Sequence, residues 1–159
     1  MIKYKNKISA NKGFTYIELV IAIAIFAILS SIVILNLNPA NQYAQARNTQ
    51  RTANINTIMT AIVQRTTDHL GTFEENCTAG AIPTSTTKMA YGIGTYNIAS
   101  CLVPIYLPLM PFDPSAAGAH YASSTDYDTG YFIQKSTSTG RTTITAPSAE
   151  LGQTISVTQ

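Results

Sequence analysis

The side chains of this 159-residue chain that could do chemistry are few and scattered. Its two histidines, His69 and His120, are far apart, and no segment has the spacing of a serine-hydrolase or zinc-protease motif. Its two cysteines, Cys77 and Cys101, are fewer than the four that an all-cysteine zinc site requires. We therefore expect no catalytic centre, which argues against a membrane-anchored enzyme.

Three aspartates in the C-terminal half form the one candidate metal site of the sequence. Asp113, Asp126 and Asp128 are separated by many serines and threonines, and oxygen-rich loops suit Ca²⁺. Their spacing is not that of an EF-hand, and aspartates that form turns are the alternative explanation. No other cofactor is expected.

A single carboxylate stands inside a long apolar segment. Between Phe14 and Leu35 the only polar residues are Thr15, Tyr16, Glu18, Ser30 and Ser31. About 20 apolar residues match the ~30 Å hydrocarbon thickness of a bilayer when they are helical. A charge in such a segment costs about 2.5 to 3.5 kcal/mol, so we expect Glu18 to have a partner.

The residues from Lys12 to Leu19, Lys-Gly-Phe-Thr-Tyr-Ile-Glu-Leu, resemble the cleavage motif of type IV pilins and type II secretion pseudopilins. The resemblance implies that a prepilin peptidase cuts between Gly13 and Phe14, and that the new N-terminal Phe14 is N-methylated. It also implies that Glu18 serves assembly. A cationic Phe14 amine would pair with a Glu18 carboxylate, its own or that of a neighbouring subunit, where water does not compete.

Two other kinds of N-terminal segment remain as alternatives. The segment could be an ordinary signal anchor, with Glu18 near the membrane interface. Ala44-Gln45-Ala46 resembles the cleavage site of a secretory signal, but the apolar run is longer than a signal h-region and ends well before these alanines. The pilin-type motif explains the order of lysine, glycine, phenylalanine and glutamate better than either.

The resemblance implies the α+β pilin fold, in which a long N-terminal helix packs on a small C-terminal antiparallel β-sheet. Pro39 is expected to kink or loosen the helix, and Gly71 to end it. An apolar stripe at helical spacing should pack on the sheet, whereas the polar stretch 41–52 should be exposed or buried only by other subunits. The predicted parts are a leader (1–13), a membrane-spanning or filament-core helix (14–37), an amphipathic continuation of that helix (38–70) and a globular β domain (71–159); the stripe is Ile55, Ile58, Met59, Ile62 and Val63.

Beyond residue 71 the composition shifts to Thr, Ser, Gly, Tyr and Pro. The strongest strand signal is a hairpin of Tyr131–Gln134 with Arg141–Thr145, and weaker signals lie at Met89–Ile93 and Ile155–Thr158. Cys77 and Cys101 are expected to form a disulfide, because an exported domain is oxidised. Two unpaired cysteines are the alternative.

The charges predict how the chain is oriented. Lys3, Lys5, Lys7 and Lys12 precede the apolar run, and they place the N-terminus in the cytoplasm by the positive-inside rule. Removal of this leader changes the formal charge from +2 to −2, because six basic and eight acidic residues remain. No basic face is left that would indicate nucleic-acid binding.

The sequence therefore predicts a structural subunit of a type IV pilus or a pilus-like filament, held in the cytoplasmic membrane before it enters an extracellular or periplasmic filament. Its expected partners are other copies or related subunits, a prepilin peptidase, the inner-membrane assembly platform and lipid. The alternative is a pseudopilin that drives protein export, with calcium binding as an option. A membrane-anchored or secreted domain of another function is less consistent with the motif. A major or minor role, adhesion, motility, DNA uptake and glycosylation all remain open.

Overall fold

The computed structural model describes residues 13–36 and 38–159, with side chains described for 13–31 and 38–159. The leader lysines Lys3, Lys5, Lys7 and Lys12 and the predicted boundary at residue 37 lie outside the described residues. The chain forms two compact units, one up to Pro39 and one from Ala40 to Gln159. The elements are α1 (Tyr16–Asn36), α2 (Pro39–Asp68), β1 (Thr87–Ala90), α3 (Ala99–Leu102), β2 (His120–Ser123), β3 (Asp126–Lys135), β4 (Thr142–Ala146) and β5 (Ile155–Thr158). The predicted α+β class is confirmed.

Helix α1 is almost wholly apolar, and its described side chains are mostly exposed, Phe26 to 70%. The two serines near its end are satisfied inside the helix: Ser30 Oγ donates to the carbonyl of Phe26 at 2.7 Å, and Ser31 Oγ donates to that of Ala27 at 2.9 Å. Over the residues described, no helix reaches the length and hydropathy that a membrane span requires.

The helical segment is interrupted in front of Pro39 instead of passing through it. Helix α1 ends at Asn36 and α2 begins at Pro39, although the sequence analysis expected one continuous helix that Pro39 kinks or loosens. Proline is favoured at the first position of a helix, where its missing N–H is not needed. Asn38, just before it, has a positive φ of 37°. Pro39 therefore starts a helix here.

Helix α2 ends in a turn that uses two left-handed residues. Leu70 has a φ of 54° and Gly71 a φ of 93°. The Gly71 amide donates to the Thr66 carbonyl at 2.8 Å, and the Leu70 amide donates to the Thr67 carbonyl at 3.3 Å. This is the hydrogen-bond pattern of a Schellman C-cap. The helix ends close to the position predicted from Gly71, but the first residue with a left-handed conformation is Leu70.

Strand β3 is the centre of the antiparallel sheet. Strands β1, β3, β4 and β5 follow in that order, and β2 also pairs with β3. Because Asp128 lies opposite both Ala90 and His120, β1 and β2 pair with opposite edges of β3. The predicted β3–β4 hairpin and the predicted final strand are confirmed. The weaker strand signal at residues 89–93 corresponds to β1, which lies slightly earlier, at Thr87–Ala90. Strand β2 was not predicted.

The core of the C-terminal unit lies between α2 and this sheet. Four residues of the predicted stripe are buried: Ile55, Ile58, Met59 and Ile62. Val63 is different, because its side chain lies at the margin and remains 37% exposed. The stripe packs in one cluster with sheet and loop residues that include Met89, Ile98, Leu102, Met110, Tyr131, Ile133 and Ile144.

The loop between α2 and α3 is closed in two ways. Cys77 and Cys101 form a disulfide with their Cα atoms 5.2 Å apart, as the sequence predicted. The buried guanidinium of Arg65 also donates to the backbone carbonyls of Phe73 and Cys101, at 2.9 and 3.0 Å, and to that of Glu75. Arg65 thus holds both ends of the loop against α2 independently of the bridge.

We expect removal of the disulfide to lower stability without unfolding the loop. The paired change Cys77→Ser with Cys101→Ser should cost about 3 to 4 kcal/mol of unfolding free energy in the chain-entropy treatment of such a loop. Urea unfolding of the whole chain in detergent measures this loss. An unchanged unfolding midpoint would show that the bridge does not constrain the unfolded chain.

Candidate functional site

Within the C-terminal unit, a buried ion cluster joins the first half of α2 to the loops around Asp113 and Glu150. Its centre is Arg51, whose side chain is 0% exposed. Arg51 Nε donates to Asp113 Oδ2 at 2.7 Å and Nη2 donates to Asp113 Oδ1 at 3.1 Å. Arg51 Nη1 donates to Glu150 Oε2 at 2.9 Å and to Asn48 Oδ1 at 2.8 Å, and Nη2 also donates to Ser115 Oγ at 2.6 Å. Each guanidinium nitrogen therefore has an acceptor.

Asp113 is buried as well, and a turn in the chain holds its carboxylate. The amides of Ser115 and Ala116 both donate to Asp113 Oδ1 at 2.9 Å, which is an Asx-type turn after the intervening proline. Gly130 on β3 makes room for this turn, because a Cβ there would lie 3.0 Å from the Cβ atoms of Asp113 and Ala116. Its φ of +73° also favours glycine.

Glu150 closes the cluster at its half-exposed side. Arg47 donates to it through Nε at 2.7 Å and through Nη2 at 2.5 Å. These bonds, together with those from Arg51, lower the pKa of Glu150 to about 2. The backbone takes part too, since the Glu150 amide donates to Asn48 Oδ1 at 3.0 Å and the Asn48 amide group donates to the Glu150 carbonyl at 2.8 Å. Glu150 is therefore an ionised partner at neutral pH.

A further contact follows one helical turn after Arg51. The Asn54 side-chain amide donates to the Phe112 carbonyl at 2.8 Å and to the Tyr131 hydroxyl at 3.0 Å. Burial raises the pKa of Tyr131 to about 12, so this hydroxyl stays protonated. The segment around Asp113 is thus attached to α2 at two successive turns.

These contacts correct the expectation for residues 41–52. One face of that stretch is buried within the chain itself, at Ala44, Asn48 and Arg51, and not only against other subunits. The prediction was wrong because a polar composition was taken to mean exposure, whereas paired charges with satisfied hydrogen bonds can be buried. The Arg51–Asp113 pair joins residues 62 positions apart, which the local sequence pattern did not indicate.

The structure does not bring the three candidate calcium ligands into one site. Asp113 pairs with Arg51, Asp126 lies 3.0 Å from His120 Nε2, and Asp128 pairs with Lys88. Among the residues that the structure describes, no three metal-binding side chains gather in a way that could hold an ion.

The two histidines lie at separate places and each has its own partner. His69 follows the end of α2, with Nδ1 3.8 Å from a Glu75 carboxylate oxygen. His120 is on β2, where the Asp126 carboxylate and the Gly118 carbonyl raise its pKa. Among the described residues, His120 is therefore hydrogen-bonded to nearby acceptors, whereas His69 only lies near a carboxylate.

A second candidate site lies at the start of α1. The Thr15 amide and hydroxyl both donate to Glu18 Oε2 at 3.2 Å, and the Glu18 amide donates to Thr15 Oγ1 at 3.3 Å. These reciprocal bonds form a capping box, with Thr15 as the N-cap and Glu18 three positions later. The sequence analysis missed this role of Glu18, although the Thr-x-x-Glu spacing is its signature.

Gly13 and Phe14 precede this cap and are not helical. A Cβ built on Gly13 would meet no heavy atom within 4 Å, and the side chain of Phe14 is 84% exposed. The fold of the described residues therefore places no demand for glycine on residue 13.

We expect Arg51→Ala to be strongly destabilising, because it leaves Asp113 as an unpaired buried charge, which costs about 3 to 5 kcal/mol. Arg47→Ala is the matched control at the half-exposed side, and it should cost at most about 1 kcal/mol. Chemical unfolding of both variants measures the difference. Equal losses would mean that burial does not set the strength of this cluster.

A second variant tests the burial cost directly. The double change Arg51→Met with Asp113→Leu removes both charges and should recover much of the lost stability, since buried pairs can often be replaced by apolar residues. A double variant as unstable as Arg51→Ala would contradict this.

A comparison with known protein families supports a functional role for the second site, at the start of α1. The chain matches no curated protein and no solved structure. One family model matches residues 8–34, and its description is a prokaryotic N-terminal methylation motif. The matched residues include Gly13, Phe14 and the capping box of Thr15 and Glu18. The N-terminal segment of this chain is therefore a prokaryotic N-terminal methylation motif, the prepilin-type cleavage motif of type IV pilins and pseudopilins.

Proposed function

We propose that this chain is a structural subunit of a type IV pilus or a pilus-like filament, processed by a prepilin peptidase and polymerised through α1. The observation that carries the proposal is the match of residues 8–34 to the N-terminal methylation motif, which includes most of the apolar helix α1. Processing acts on the peptide bond between Gly13 and Phe14, and methylation acts on the new Phe14 amine.

The surface of α1 supports a role in polymerisation. Its apolar side chains are exposed on every turn from Tyr16 to Leu29, and an apolar surface of this extent needs a cover. The cytoplasmic membrane would supply that cover before assembly, with the N-terminus in the cytoplasm. The α1 helices of neighbouring copies would supply it in the filament.

Glu18 has the geometry for a second partner. Among the described residues, the hydrogen bonds to the Glu18 carboxylate all go to Oε2. The other oxygen, Oε1, is therefore left for a Phe14 amine. An amine placed among apolar helices without such a partner would be costly. We therefore assign to Glu18 a pairing role that sets the register of an added subunit.

The ion cluster supports the display of a folded domain. Arg51 on α2 pairs with Asp113 and Glu150, so buried bonds hold α2 and the loops around these two acids together within the C-terminal unit. A filament subunit carries such a folded unit on its surface.

A pseudopilin is the second candidate, and the segment around Asp113 is compatible with it. Pro111-Phe112-Asp113-Pro114 resembles the Pro-x-Asp-Pro entry to the sheet in pseudopilins and related pilins. The same subunit would then build a short periplasmic filament that moves exported protein outward. Electron microscopy of the cell surface separates the two candidates, because only a pilus extends beyond the envelope.

We expect the mature chain to begin at N-methylated Phe14. Gly13→Val should leave an unprocessed precursor in the membrane, because a branched side chain would crowd the peptidase subsite, while no heavy atom of the described residues lies within 4 Å of the added Cβ. Intact mass and N-terminal peptide analysis measure both results. A mature chain that starts at Arg47 would instead indicate a secretory signal and overturn the proposal.

We expect Glu18→Gln to enter the membrane normally and to assemble poorly. Glutamine keeps the capping geometry at this position but removes the charge, and breaking one side of a buried pair costs about 3 to 5 kcal/mol at every added subunit. Glu18→Asp is the control that keeps the charge. The observable is the ratio of sheared filament to membrane-bound subunit, and a wild-type ratio for Glu18→Gln would refute the pairing role.

A further inference from the structure

The capping box fixes where α1 begins relative to the bond that is cut. Residues 13–15 are outside the helix and Tyr16 is its first residue. The Thr15 carbonyl accepts the first intrahelical bond, from the Leu19 amide at 3.2 Å. The Gly13–Phe14 peptide bond therefore lies outside the helix, with Phe14 between it and the N-cap residue Thr15.

We propose that Thr15 is a positioning residue for N-terminal processing, a role that rests on the proposed function. Its reciprocal cap with Glu18 stops the helix at Tyr16 and keeps the Gly13–Phe14 bond in the non-helical backbone that a peptidase can bind. Proteases cut exposed, non-helical backbone in preference to hydrogen-bonded helix. The cap thus determines which conformation the peptidase meets.

Loss of the cap would let the helix grow towards the N-terminus. Extending an existing helix adds one hydrogen bond for each residue that is fixed, and α1 supplies a long apolar helix to extend from. In a longer helix the Gly13 carbonyl would accept from the Ile17 amide, four residues on. The scissile peptide group would then be part of the helical ladder.

The hydroxyl of Thr15 can be removed almost without changing the shape of the residue. Thr15→Val keeps the β-branch but has no acceptor for the Glu18 amide, whereas Thr15→Ser keeps the oxygen that accepts this bond. Glu18→Gln also keeps the cap, because glutamine serves at the third position of a capping box. These three variants separate the cap from side-chain shape and from charge.

The test measures cleavage of the full-length precursor in detergent by membranes that contain the prepilin peptidase. We expect Thr15→Val to lower kcat/KM about fivefold, the effect of losing a cap of ordinary strength on the helix-start equilibrium. Thr15→Ser and Glu18→Gln should each stay within about twofold of the wild type. A Thr15→Val precursor that is cut at the wild-type rate would overturn the positioning role.

Amide hydrogen exchange of the same precursors gives a readout independent of cleavage. In a capped helix the amides of Tyr16 and Ile17 have no intrahelical acceptor, so they should exchange freely in the wild type and become protected in Thr15→Val. Slower cleavage of Thr15→Val without this protection would mean that the peptidase contacts the hydroxyl directly, and it would overturn the proposal. A wild-type precursor that is never cut after Gly13 would overturn the proposed function and this role together.

Discussion

The burial of the Arg51 guanidinium against Asp113 is the interaction on which the C-terminal unit depends. A buried arginine is tolerated only when its charge is paired and its donors are satisfied. Meeting that condition requires α2, the turn after Asp113 and the segment around Glu150 to meet at one place. The same condition favours glycine at residue 130, because a Cβ there would lie only 3.0 Å from the Cβ atoms of Asp113 and Ala116, which belong to this turn.

The two helices solve the problem of a charged group in different ways. In α2 the charge of Arg51 is matched by residues 62 and 99 positions away, so the folded domain supplies its partners. In the described part of the N-terminal unit, the hydrogen bonds to the Glu18 carboxylate come from the amide and hydroxyl of Thr15, three residues away. A local partner lets α1 form before any domain contact exists, which suits a segment that changes surroundings from membrane to filament.

Features with a local cause could be predicted from the sequence. Burial of Ile55, Ile58, Met59 and Ile62 follows from helical spacing. The β3–β4 hairpin follows from an aromatic-rich run and a β-branched run on either side of a turn. The cap at Thr15 could also have been read from four residues. The Arg51–Asp113 pair could not, because neither residue has a pattern that names its partner across 62 positions. Strand β2 was not predicted, because it is short and only one of its residues, Tyr121, is partly buried.

The Pro39 boundary illustrates how one residue type can have two structural meanings. A proline within a helical run predicts a kink, whereas a proline at the first position of a helix predicts a start. The sequence around Asn38 and Pro39 is compatible with a kink and with a helix start. In the structure Pro39 starts α2, and Asn38 just before it has a positive φ.

The central claim is that copies of this chain form the body of a filament. Immunogold electron microscopy with an antibody to the C-terminal unit tests it most directly, using cells with and without the chain. The account predicts gold particles along the whole length of filaments, in the periplasm or beyond the cell, that are absent when the chain is absent. Gold confined to the membrane, with the same filaments present in both kinds of cell, would contradict it.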